Sequence, residues 1–141
     1  MTRDEIAAFF PAPGRAPDFG AMNYAVPTLA WLQGPLWDFF KARLWNENLD
    51  KWQTRWECRD FTLMYMAAAR ECWALTPGND TSDAPAVGDI WFRPYWLDPT
   101  QPGHSIAPVF TENGLQFIDP QNNTLWPMSP GQFSSRYFLR F

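Results

Sequence analysis

Cysteine and histidine are scarce in this chain, with 2 Cys and 1 His among 141 residues. Neither a CxxC nor an HxxxH spacing occurs, so a structural zinc site is excluded on ligand supply and no metal is expected. Cys58 and Cys72 fall within what reads as one helix. At about 1.5 Å of rise per residue they would stand roughly 20 Å apart, too far to bridge. A reducing, cytoplasmic setting is the simplest expectation. Positive charge is also short: 11 Lys and Arg against 15 Asp and Glu leave a net charge of −4, and no basic run occurs. That balance lacks the electrostatic footprint of a nucleic-acid binder. No window of 18 consecutive apolar residues is present, so no membrane contact is expected. The opening run MTRDEIAAFFPAPGRAPDFG is broken by Pro and Gly before a signal-peptide core forms. Nothing implies a cofactor.

Proline is abundant but unevenly placed. All 14 prolines fall at or before Pro35 or at or after Pro77, leaving 36–76 free of both Pro and Gly. Within that window Trp37, Phe40, Leu44, Trp45, Leu49, Trp52 and Trp56 recur at three- and four-residue steps, as one helix stripe would. Phe61, Met64, Tyr65, Ala68, Cys72 and Leu75 form a second stripe, stopped by Pro77-Gly78. After a polar, turn-rich stretch at 79–86, the pattern changes to short strands at 87–93, 104–110, 115–119 and 136–141, rich in β-branched and aromatic residues. One domain is expected: a Pro-rich wrap over 1–35 with a short helix near 3–10, helices over 36–76, and an antiparallel sheet over 87–141. Helices followed by a meander predict an α+β fold. The 9 Trp, 12 Phe and 4 Tyr exceed what a core of this size needs. Some rings are therefore expected to face a groove or a protein partner.

Three residues stand out as candidate chemistry. A helix beginning near Glu57 or Cys58 would put the Cys58 thiol in its first turn, where free backbone N–H groups and the positive dipole end favour a thiolate. His104, after Gly103 at a strand start, is the one side chain that ordinarily titrates near neutrality. Asp119 closes the following strand. A turn over 111–114 sets Phe110 opposite Leu115 and Ile106 opposite Asp119, so that His104 and Asp119 share a face as diagonal neighbours. An Asn-Gly loop would keep the face but separate the pair further. With the helix packed on that face, Cys58 meets His104, giving a thiol–imidazole pair oriented by Asp119. Gln53 is a candidate second oxyanion donor, and Trp91 and Trp96 are candidate groove walls. Asp89 reads as a turn or cap residue.

The run Trp56-Glu57-Cys58-Arg59-Asp60-Phe61-Thr62, then Gly103-His104, then Phe117-Ile118-Asp119-Pro120, resembles the nucleophile, His and Asp motifs of bacterial transglutaminase-like proteins. Val87-Gly88-Asp89-Ile90-Trp91 with Gly103-His104-Ser105-Ile106 is also similar to strands of NlpC/P60 and CHAP-type cysteine peptidases. The resemblance covers about half of the chain. It implies a papain-like fold, with N-terminal helices packed on a C-terminal antiparallel sheet. It also implies a cysteine hydrolase or acyltransferase acting on an amide bond of a peptide or protein through a thioester, with a catalytic Cys58-His104-Asp119 triad. The alternative reading is a catalytically inactive binding module that recognises a peptide, glycan or host protein through exposed aromatics.

Overall fold

The structure is a computed structural model, and it describes residues 1–49, 57–79, 83–98 and 100–141. It opens with α1 (Arg3–Ala7), whose N-cap Thr2 and Glu5 close a reciprocal capping box. A two-residue strand β1 (Tyr24–Ala25) follows, then α2 (Leu29–Trp31), a π turn (Leu32–Leu36) and α3 (Trp37–Asn46) in one helical run. The helical part thus begins at Leu29, ahead of the Pro-free window. Pro35 sits inside the run because a wide π turn tolerates its missing N–H. The long helix α4 (Cys58–Leu75) comes next.

Strands then dominate: β2 (Ala84–Pro85), β3 (Asp89–Phe92), β4 (His104–Thr111), β5 (Gly114–Asp119) and β6 (Thr124–Leu125), with a short helix α5 (Pro130–Ser134) before β7 (Phe138–Arg140). The main sheet runs β6-β5-β4-β3-β7 and every pairing in it is antiparallel. The polar, turn-rich stretch at 79–86, expected to form an exposed linker, contributes a strand instead. Ala84 and Pro85 pair in parallel with Tyr24 and Ala25, and Ala86 behind them is fully buried. Strands β6 and β2 are too short for periodicity to register, whereas α5 is marked only by its start, Ser129-Pro130 with Gln132 closing a capping box.

Two apolar layers sandwich the sheet. Leu32, Leu36 and Phe40 from the first helical run and Phe61, Tyr65, Ala68 and Ala69 from α4 meet Val87, Ala107, Val109 and Ile118 on one face. Ile6, Phe10 and Tyr24 from the N-terminal segment cover Ile90, Phe92, Ile106, Phe110 and Leu139 on the other. Because both faces of β4 are covered, its sequence is apolar almost throughout rather than alternating. Trp45, placed by its spacing in the helix stripe, is 71% exposed, and the stripe's Trp52 and Trp56 lie outside the described residues. The β4–β5 hairpin pairs Phe110 with Leu115 and Thr111 with Gly114, the latter at φ 86°, where a side chain would be strained. Among the described residues no helix is long and apolar enough to cross a membrane.

Close approach of the C-terminal strand to the β3 entry depends on Gly88. A Cβ there would run into the Arg140 carbonyl and lie 3.0 Å from the Phe141 ring. Gly88→Ala is therefore expected to destabilise the protein by about 1–3 kcal/mol through overpacking. Chemical denaturation with an unchanged midpoint would contradict that packing.

Candidate functional site

The helix entry at Cys58 is built locally. The Asp60 carboxylate accepts a hydrogen bond from the Glu57 N–H at 2.9 Å, and Thr62 Oγ1 donates to the Cys58 carbonyl at 3.0 Å. Phe61 turns into the core, 3% exposed, and fixes the rotation of the first turn. Cys58 is left half-buried, whereas Cys72 is buried inside the same helix. Both thiols are free.

His104 is the first residue of β4, paired across the sheet with Phe92. Its Nε2 donates to Asp119 Oδ2 at 3.4 Å, longer than the 2.7–2.9 Å usual for a charge-assisted bond. The rings of Phe92 and Trp126 pack against it at centroid distances of 5.9 and 5.2 Å. Burial alone would lower the His104 pKa. Hydrogen bonds and charge from Asp119 and Cys58 outweigh that and raise it to about 9, so the ring carries its proton at neutral pH. Asp119 is itself tied into the following turn, its Oδ1 accepting from the Gln121 N–H at 2.9 Å.

Cys58, His104 and Asp119 therefore come together, although by a different route from the one the sequence suggested. Helix α4 packs on the face of β4 carrying Ala107 and Val109, whereas strand alternation groups His104 with Ile106 and Phe110 on the opposite face. Thiol and imidazole meet because each is the first residue of its element. They line a common cleft of about 230 Å³ with Glu57, Trp91, Gly103 and Tyr137. Trp91 is thus a wall of the cleft. Trp96 lies elsewhere, in a hollow with Pro130, Gly131 and Ser135, and Gln53 lies outside the described residues.

Sequence reasoning missed Tyr137, which lines the cleft, and Trp126, which packs on the His104 ring; both come from distant segments. Gly103 admits Tyr137, since a Cβ there would collide with the tyrosine hydroxyl. It also misread Asp89, which is fully buried in the sheet rather than in a turn. Asp89 Oδ1 accepts from Trp91 Nε1 at 2.9 Å and from Ser105 Oγ at 2.8 Å, so one carboxylate holds both the cleft wall and the neighbour of His104. Its Oδ2 has no hydrogen bond. The nearest cation, Arg140 Nη2, is 3.6 Å away, a charge contact only. Burial raises the Asp89 pKa to about 6 against the opposing pull of Ser105, Arg140 and Trp91. Among the described residues no cluster of three or more His, Cys, Asp or Glu is arranged to hold a metal ion.

No family model matches the sequence, and no curated protein matches it. Solved structures do. All of the chain is similar in fold to 49% of a chain of Polyporus squamosus lectin, bound to the human-type influenza-binding epitope Neu5Acα2-6Galβ1-4GlcNAc, at TM-score 0.72 and 17% identity. A PSL1a–E64 complex matches 99% of the chain with 49% of its own, at TM-score 0.69 and 16% identity. The chain thus spans about half the length of these structures.

These matches correct the family expectation. The transglutaminase-like, papain-like and NlpC/P60 or CHAP-type assignments gave a peptidase fold and a cysteine hydrolase or acyltransferase. The fold found is instead shared with half of a lectin chain. The physical reason lies in the motif itself. Asp60 caps, Thr62 bonds back to the Cys58 carbonyl and Phe61 anchors the core, roles that any helix entry of this kind requires.

Half-buried His104 and buried Asp89 each give stability a pH dependence of defined sign. For His104 the folded-state pKa is raised, so its contribution is full below about pH 6.5 and is lost as pH rises through about 9. The loss should be on the order of 2–3 kcal/mol and should vanish in His104→Gln. For Asp89, also raised, stability falls as pH rises from about 3.8 to about 6, and Asp89→Asn should remove that fall. Denaturation midpoints measured from pH 4 to 10 on the three proteins check both slopes.

Proposed function

We propose that the chain is a binding module that recognises a glycan through exposed aromatic side chains. The observation that carries this reading is the fold likeness, over the chain's whole length, to a lectin named with a sialylated trisaccharide. Surface composition supports it. Trp45, Tyr95, Trp96 and Tyr137 are each 48% exposed or more, and rings with one apolar face and one polar tip suit the alternating C–H and O–H faces of a saccharide. Because the chain corresponds to half of the lectin's length, glycan recognition by this half is the point to be tested. Binding of the purified protein to a glycan array is expected to pick out a related set of structures. A folded protein that binds none of them at high concentration would refute the reading.

A specific observation favours a second role at the cleft. Three side chains from three separate elements converge there, with the imidazole protonated between a carboxylate and a thiol. We propose that Cys58 is a selectively reactive thiol, that His104 is its proton-holding partner, and that Asp119 orients the ring, with Trp91 as a wall of the cleft. Burial raises the pKa of Cys72 and slows its labelling. At pH 6, iodoacetamide should alkylate Cys58 at least about tenfold faster than Cys72, and His104→Ala should slow Cys58. E64, the compound named with PSL1a, should protect Cys58 if it enters the cleft. Equal labelling of the two thiols, read by peptide mass spectrometry, would sink this assignment.

A further inference from the structure

A hollow larger than the cysteine cleft lies away from it, on the surface of α3. It has a volume of about 480 Å³, and Trp37, Asp38, Lys41, Trp45 and Gln121 line it together with the buried Phe61. Trp37, Lys41 and Trp45 succeed one another at four-residue steps and so form one ridge of the helix. Trp45 at 71% exposure is a large apolar surface left in water, which a core does not explain. Lys41 is held in place twice, by an ion pair to Asp38 at 3.0 Å and by lying over the Trp37 ring at 5.6 Å.

We infer that this hollow is a saccharide subsite and that its occupant is an uncharged oligosaccharide. The inference rests on the glycan-binding reading above and assigns it a place. The Trp45 indole, largely in solvent, offers a stacking surface for the C–H face of a sugar ring, while Trp37, half-buried and capped by Lys41, closes the hollow beside it. A carboxylate, an ammonium and a primary amide at the rim offer acceptors and donors to its hydroxyls, the mixture of apolar wall and few fixed polar groups that small-ligand sites use. The volume admits a ligand larger than one ring. Charge decides the class. Asp38 and Lys41 pair at 3.0 Å on the surface, so this rim carries no net charge to attract an anion, and a sialylated ligand must compete with Asp38 for Lys41.

The probes are Galβ1-4GlcNAc, the uncharged portion of the trisaccharide named with the lectin, and that trisaccharide itself, each titrated calorimetrically into the full chain. The uncharged disaccharide is expected to bind the more tightly of the two. Trp45→Ala, at an exposed position that leaves the fold intact, is expected to weaken it about tenfold. Asp38→Asn, which frees Lys41, should shift preference toward the sialylated probe. If the wild-type chain binds a glycan and both Trp45→Ala and Asp38→Asn bind it equally well, the subsite is elsewhere and only this inference fails. Tighter binding of the sialylated probe by the wild type also overturns it. If neither probe nor any arrayed glycan binds the wild type, the parent reading fails with it.

Discussion

Burial of the α4 stripe against the centre of the sheet is the constraint on which the remaining geometry depends. Phe61, Tyr65, Ala68 and Cys72 occupy one side of that helix, and Val87, Ala107, Val109 and Ile118 receive them. The contact sets the height of α4 along the sheet and therefore where its first residue falls. The opposite face of β4 is closed by the N-terminal aromatic segment, so a slip of one residue would exchange two buried faces at once. Register in β4 and β5 is thereby pinned from both sides. His104 and Asp119 meet across two strands because neither strand can shift without unpacking both layers.

The parts of this arrangement that a sequence can disclose are those with repeated local signals. The stripe from Phe61 to Cys72, closed by Pro77-Gly78, writes a long helix in its spacing, and the Thr111–Gly114 stretch writes a hairpin in its turn residues. What stayed hidden depends on long-range pairing. The helical run through Pro35 contradicts local propensity and persists because Leu32 and Leu36 are fully buried. Ala84 and Pro85 form a strand only because Tyr24 and Ala25 lie beside them. At the cleft, Cys58, His104 and Asp119 could be singled out by residue type and position. Tyr137 and Trp126 could not, since nothing near either of them in the chain marks a site.

Short motifs misled the family assignment for a related reason. A four-residue run at a helix start is under strong local constraint from capping and core entry, so its recurrence carries less information about ancestry than its appearance suggests. The backbone layout extends over the whole chain, and it is shared with half of the lectin chain at 17% identity. Many side-chain sets fill the same layered volume provided the apolar positions keep their places.

Aromatic residues divide by chemistry in a way that bears on where a ligand meets the protein. Phe10, Phe19, Phe110, Phe133 and Phe141 join Tyr24 in a linked set of ring contacts beneath the N-terminal cover, where a side chain with no polar atom costs nothing to bury. Tryptophan carries an N–H that must find an acceptor or water. Trp31 donates to Thr76 and Trp91 to Asp89 at the margins of the core, while Trp45 and Trp96 remain largely in solvent. Trp73 is the exception, its buried Nε1 unpartnered while its ring lies edge-on to Trp31. The same requirement that keeps tryptophan out of the deepest core leaves it lining the exposed hollows. The lining of the exposed hollows is thus richer in tryptophan, and the interior richer in phenylalanine.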